Sequence, residues 1–252
     1  MISEAGLTLI ILGGAFAILL FSSLVVRRRR TPLEFRPIEG YQVLPLAIDE
    51  AVESDRPVHF AFGSSAVGQA TTLHALAANE LTYHLVMRLS FERRLPLVTL
   101  SDPITLAIAS DMLRQAYAAR DNLPAFRPTA AVWFPQGERS LAYAAGAASL
   151  AIDGNAASQV ALGQFGAEIA FLGEASMRRN VRFIANATTV EGQAVAFAMS
   201  ETPIIGEELF VGSAYLHRER VLNTGSVLVM DALRWGIIIF GILLGILLNA
   251  VD

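Results

Sequence analysis

The sequence predicts an α/β fold: a Rossmann-like, doubly wound, mostly parallel sheet of about five strands, flanked by an N-terminal and a C-terminal transmembrane helix. Three observations lead there. The 252-residue chain is 54% hydrophobic and only 17% charged, against roughly 25% charged residues in an average soluble domain. The apolar excess gathers at the two ends. Between them, short apolar runs alternate with longer stretches of helical period, the pattern of strands buried on both faces of a parallel sheet.

Leu7 to Val26 is a run of 20 residues without a charge. As a helix rising 1.5 Å per residue it covers about 30 Å, a bilayer core. Trp235 to Val251 is a second uncharged run, of 17 residues, which Val227 to Met230 extend backwards by a turn. Asp231 and Arg234 can pair at its entry, and Trp235 suits the interface. The first run reads as a signal anchor rather than a cleaved signal peptide, because its leading residues carry only Glu4 and the positive charge follows it, as Arg27, Arg28, Arg29 and Arg30. These arginines anchor lipid headgroups. With Arg234 they all flank the central segment, so the positive-inside rule predicts an inner (plasma) membrane protein with its central domain cytoplasmic and both termini outside. Gly13 and Gly14, and Gly241 and Gly245, could let such helices approach closely.

The expected organisation is therefore a helix and its arginine flank over 1–30, a connector over 31–55, a cytoplasmic α/β domain over 56–226 and a second helix over 227–252. Pro32, Pro37, Gly40 and Pro45 punctuate the connector, which holds one amphipathic turn near Leu46 to Val52. Strands are expected at Val58–Phe62, Leu95–Leu100, Thr129–Phe134, Glu168–Leu172 and Val181–Ala185. Ala66–Arg94 reads as a helix, with Leu73, Ala77, Leu81, Leu85 and Leu89 every fourth residue. Asp102 before Pro103 is a helix start, opening Ile104–Arg120. Glu138–Ile152 is an alanine-rich helix. Asn155 can cap a further helix to about Gly166, although Val160-Ala161-Leu162 could equally be a strand. Glu191–Met199 and Ile205–Leu216 complete the helices.

Composition removes whole classes of chemistry. There is no cysteine, hence no disulfide, thiolate metal site or cysteine nucleophile. All 19 basic residues are arginine, so no lysine serves a phosphate loop or a Schiff base. Residues 31–226 hold 20 carboxylates against 14 arginines, a net charge opposed to nucleic acid. The four histidines show no metal-ligand spacing, and no cofactor is implied.

In an open α/β sheet ligands bind beyond the carboxyl ends of the strands. The leading motif there is Gly63-Ser64-Ser65-Ala66-Val67-Gly68-Gln69, between a strand and a helix. Its amides could hold an anionic small molecule. Gln69 stands where a phosphate loop has lysine and Ala70 where it has Ser or Thr, which argues against ATP or GTP hydrolysis. The bland alternative is a tight turn whose serines cap the helix. Asp102, Glu138 and Glu174 fall at other expected strand ends. Convergent, they could bind a divalent cation or act as acid and base; apart, they are helix caps and first-turn acids.

At Gly63–Thr72, Ser101-Asp102-Pro103, Gly173-Glu174-Ala175, Ile205–Phe210 and Asp231–Trp235 the chain resembles a bacterial family of membrane-anchored proteins known only as a domain of unknown function. The resemblance covers most of residues 55–240. It implies the domain and its membrane setting and brings no activity, cofactor or catalytic residue.

Three functions compete. The first is a membrane-anchored structural or interaction protein that assembles with copies of itself or other membrane proteins and is not an enzyme. The second is a sensor or binding protein for an anionic small molecule at Gly63–Gly68. The third is an enzyme using the acids at the strand ends.

Overall fold

A computed structural model describes residues 4–28, 35–89, 96–135 and 140–216, with 225, 227–232, 234–236, 238–239 and 241–242. The chain divides into two units, one of residues 37–213 and one made of the two terminal segments, 1–36 and 214–252.

In the terminal unit, α1 runs over Glu4–Arg28, 25 residues ending on Arg27 and Arg28. These cations face the negative end of the helix dipole. Leu9, Phe16 and Phe21 stand exposed along it. Residues 227–232 are helical, and Arg234 reaches Asp231 at 3.8 Å, the pairing expected from their spacing. Among the described residues no helix is long and apolar enough to cross a membrane. The apolar run of the sequence includes side chains at Leu7, Ile10, Ile11 and Leu12 that lie outside the described set.

The larger unit is built on a six-stranded sheet. In chain order its elements are α2 (Glu39–Glu53), β1 (Val58–Gly63), α3 (Thr72–Leu89), β2 (Leu97–Leu100), α4 (Pro103–Ala118), β3 (Ala131–Trp133), α5 (Leu141–Asp153), β4 (Ser158–Gln164), α6 (Ile169–Arg179), β5 (Arg182–Ala187), α7 (Val190–Met199) and β6 (Ile204–Ile205). A short α8 (Gly212–Leu216) follows. The strand order is β3-β2-β1-β4-β5-β6, with every neighbouring pair parallel. That is the 3-2-1-4-5-6 order of the doubly wound fold. One more strand is present than expected.

Alternation along β1 divides the core. Ala61 points into one layer, formed with Tyr143, Ala144 and Ala147 of α5, Leu172 of α6 and Ala196 of α7. Phe60 and Phe62 point the other way and are fully buried. α2 packs on α3, and α3 on α4. Alanine in α5 leaves room for α6 to lie close, which suits the tight packing of a protein interior.

Several expected elements are corrected. The presumed connector contains α2, which buries Tyr41, Leu44, Ala47, Ile48 and Ala51 at helical spacing and carries Pro45 inside it. α3 starts at Thr72 rather than Ala66, because hydroxyls of Thr71 and Thr72 bond the preceding turn. Of the two readings left open after Asn155, the structure takes the strand: β4 is a central one. Asn155 has φ of +52°. It closes α5 from the left-handed region that Asn tolerates, instead of capping a new helix. The expected strand Glu168–Leu172 lies on α6, whose Ile169, Leu172 and Ser176 are buried on one face. The run was too short to separate the two periods. Ile204–Ile205 pairs with β5, a 3-10 turn covers Gly206–Val211, and only Gly212–Leu216 of the last expected helix is α-helical.

Gly63 has φ of +62°, and a Cβ on it would press into the Gln164 carbonyl. Gly68 also has positive φ, at +87°, but a Cβ there meets nothing within 4 Å. Strained backbone alone costs roughly 1–3 kcal/mol. Gly63→Ala should therefore lower the urea midpoint distinctly more than Gly68→Ala. Equal losses would contradict the close approach of β1 and β4.

Candidate functional site

The strand order reverses between β1 and β4, so the crevice beyond their carboxyl ends is where this architecture places a ligand. The loop from Gly63 to Thr71 leaves β1 there, and Gln164 to Glu168 leaves β4.

These loops are bonded to each other. Ser64 N donates to Gln164 O at 2.8 Å and Ser64 Oγ to the same oxygen at 3.0 Å. Gln164 N donates to Ser65 Oγ at 2.9 Å. Ser65 is fully buried. Gly163, with φ of +129°, leaves the space Ser65 Oγ fills.

The amides of the Gly63 loop are used within the chain. Gly63 N donates to Tyr143 OH at 3.1 Å, and Ser65 N to Phe62 O at 3.3 Å. Ala66 N donates to Thr71 Oγ1 at 2.9 Å and Val67 N to Thr105 Oγ1 at 3.2 Å. Gly68 N and Gln69 N share Thr72 Oγ1, at 2.9 and 3.1 Å. With Ser64, every amide from Gly63 to Gln69 has a protein acceptor. An anion seated here would have to displace hydroxyls of Thr71 and Thr72.

The three expected carboxylates fare differently. Asp102 caps α4: its Oδ2 accepts from Thr105 N at 2.7 Å and Thr105 Oγ1 at 2.8 Å. Glu174 lies in the middle of α6 instead of at a strand end, exposed and paired with Arg178 at 2.7 Å. Glu138 lies outside the described residues. Among the described residues no three His, Asp or Glu side chains group to hold a metal ion.

In the terminal unit, Arg29, Arg30 and Gly245 lie outside the described residues. Trp235 is exposed. A Cβ on Gly13, Gly14 or Gly241 would meet nothing within 4 Å, so no described neighbour in this chain exploits their small size.

What sequence reading missed is a buried polar thread under the same loop. His59 of β1 is fully buried. Its Nδ1 lies 3.3 Å from Gln159 Oε1 on β4, and its Nε2 lies 2.9 Å from Thr99 Oγ1 on β2. The carboxamide oxygen can only accept, so Nδ1 carries the proton and Nε2 accepts from threonine. Tyr143 OH donates to Thr99 O at 3.0 Å and accepts from Gly63 N. Burial pushes the His59 imidazole down to about 4, against the opposing Gln159 bond. Burial pushes the Tyr143 phenol up to about 12. Both groups are neutral near pH 7, so the thread holds geometry rather than moving protons. Polar residues inside apolar strands were the available signal.

A comparison with family profiles decides the relationship, with residues 2–252 matched. The chain belongs to the family described as domain of unknown function DUF6754. Neither curated proteins nor solved structures supplied a match.

The His59 environment makes stability depend on pH. The unfolded chain binds this proton near pH 6.5 and the folded protein only near 4. Between those values the unfolded state holds more protons, so stability is full above 6.5 and falls as pH drops toward 4. The window is worth about 3 kcal/mol. Urea midpoints measured from pH 7 to 4.5 should fall less in His59→Gln than in the natural sequence. Identical slopes would remove His59 as the cause.

Proposed function

We propose that this chain is a membrane-anchored interaction module, assembling with copies of itself or with other membrane proteins and performing no chemistry at its sheet edge. The observation that carries the reading is the saturated Gly63 loop. In a dinucleotide-binding fold those amides face pyrophosphate; here Tyr143, Gln164, Phe62, Thr71, Thr105 and Thr72 supply the acceptors a ligand would have to replace. Asp102 bonded into its own helix and Glu174 paired on the surface speak against an acid pair or a divalent site. An anionic small molecule at Gly63–Gly68 remains the competing reading, at the cost of breaking those bonds.

The anchoring rests on the whole sequence. α1 is 25 residues long, about 37 Å, and its residues 7–26 carry no charge. Trp235 to Val251 adds the second apolar run. Phe16, Phe21, Ile239 and Ile242 are more than half exposed on these segments, a costly arrangement in water that hydrocarbon relieves. The arginines on the inner flanks favour a cytoplasmic domain in the inner (plasma) membrane, with both termini outside.

Purified in detergent, the protein should have a protein mass of two or more chains and show no thermal shift with ATP, NAD or inorganic phosphate. A strict monomer without partners, or a shift of several degrees with any of these, would overturn the reading. For orientation, a reporter active only in the cytoplasm and fused after Asp252 should stay silent, while the same reporter inserted near Asp153 should be active. The reverse pattern would invert the topology.

A further inference from the structure

α3 and α4 lie side by side and leave a groove of about 510 Å³ between them. Its floor and walls are apolar at Ala107, Ile108 and Met112, with the Tyr83 ring on one side. Toward the first turns of both helices the apolar track continues through Leu73 (67% exposed), Leu76 and Ile104 (56%). Scattered surface leucines mean little, but these three share two adjacent helices with the groove.

The polar groups lining the groove can accept hydrogen bonds, and among the described residues no cationic side chain lines it. Glu80 is an exposed carboxylate on its rim with no ion pair among the described residues. Asp111 faces it from α4, its charge shared with Arg114 at 2.7 Å and with the Gln115 amide at 2.5 Å. Asn79 lies in the lining, 95% buried by its 5% exposure. Its Nδ2 donates to Ala75 O, while Oδ1 has no donor. A buried carbonyl oxygen without a donor is costly, roughly 1–3 kcal/mol.

We propose that the α3–α4 groove is a docking site for a basic amphipathic helix of a partner protein. Its apolar stripe would lie on Ile104, Ala107, Ile108 and Met112, and an arginine or lysine head would meet Glu80 on the rim beside Tyr83, since Asp111 is already held by Arg114. Two adjacent helices with an open apolar seam between them are the usual receptacle for a third helix, read through anchors at i, i+3 or i+4 and i+7. The seam is too open to enclose a small molecule, which typically has most of its surface buried. The charge pattern selects a basic partner over an acidic one. This inference rests on the interaction-module reading and names the partner's chemistry.

The probe is a 16-residue peptide with leucine at i, i+3, i+4 and i+7 and lysine elsewhere, and its counterpart with glutamate for lysine. Binding is read by fluorescence anisotropy to the full chain in phosphatidylcholine nanodiscs, with empty nanodiscs as blank. The lysine peptide should bind above the blank, and the glutamate peptide at least tenfold more weakly. Glu80→Lys, on an exposed rim, and Ile108→Glu, in the seam, should each weaken the lysine peptide at least tenfold, with unchanged far-UV circular dichroism. Binding no better than the blank, equal binding of both peptides, or unchanged binding by Glu80→Lys would overturn the proposal. If the groove fails while the protein still purifies as an assembly, this site alone is lost; if the protein is also a strict monomer, the wider reading falls with it.

Discussion

The reciprocal bonding between Ser64-Ser65 and Gln164 fixes the character of this molecule. Two parallel strands that diverge in connection leave a crevice at their carboxyl ends, and most doubly wound proteins keep it open. Here Ser65 Oγ accepts from the Gln164 amide and Ser64 returns two bonds to its carbonyl. The close approach is possible only because Gly63 and Gly163 lack a Cβ and adopt positive φ. Once the loops are joined, the following turn spends its amides within the chain, on the hydroxyls of Thr71, Thr105 and Thr72. The glycine pattern that resembles a phosphate cradle thus serves packing between β1 and β4.

The same constraint reaches the core through Gly63. Its amide bonds Tyr143, which bonds β2, which meets His59 and then β4. Three strands and α5 are therefore linked by a polar thread inside an otherwise apolar layer. Alanine on α5, α6 and α7 makes that layer thin, and thin layers depend on exact side-chain placement because few large groups can shift to fill a gap. Each member of the thread is satisfied, so it sets register without leaving a charge in the interior.

How much of this was legible depends on local signals. Val58–Gly63, Asp102-Pro103, Arg182–Ala187 and Val190–Met199 stand within a few residues of where apolar runs, a capping pair and turn residues placed them. The failures share a cause. Around Asn155–Gly166 and Glu168–Leu172, small and apolar residues are spaced so that strand and helix periods both fit, and Asn155 can open a helix or close one. The run after Thr31 read as a connector because its prolines outweighed the buried stripe Tyr41-Leu44-Ile48. Glu174 falls at a strand end only if Glu168–Leu172 is a strand, and the structure makes that run part of α6. Asp102 was read correctly, since an N-cap depends on neighbours within three residues.

By itself the sequence determined what is local or summed over the chain: the two apolar end segments and their arginine flanks, the absence of lysine and cysteine chemistry, and alternating strands and helices that make a parallel sheet. Only tertiary structure decided that β4 lies beside β1, since strand neighbours are chosen by packing a hundred residues apart. From that single adjacency follow the closed crevice and the buried thread. Hydrogen-bond partners at that distance leave no mark in residue spacing, so the glycine-rich turn had to be seen folded before its amides could be counted as spent.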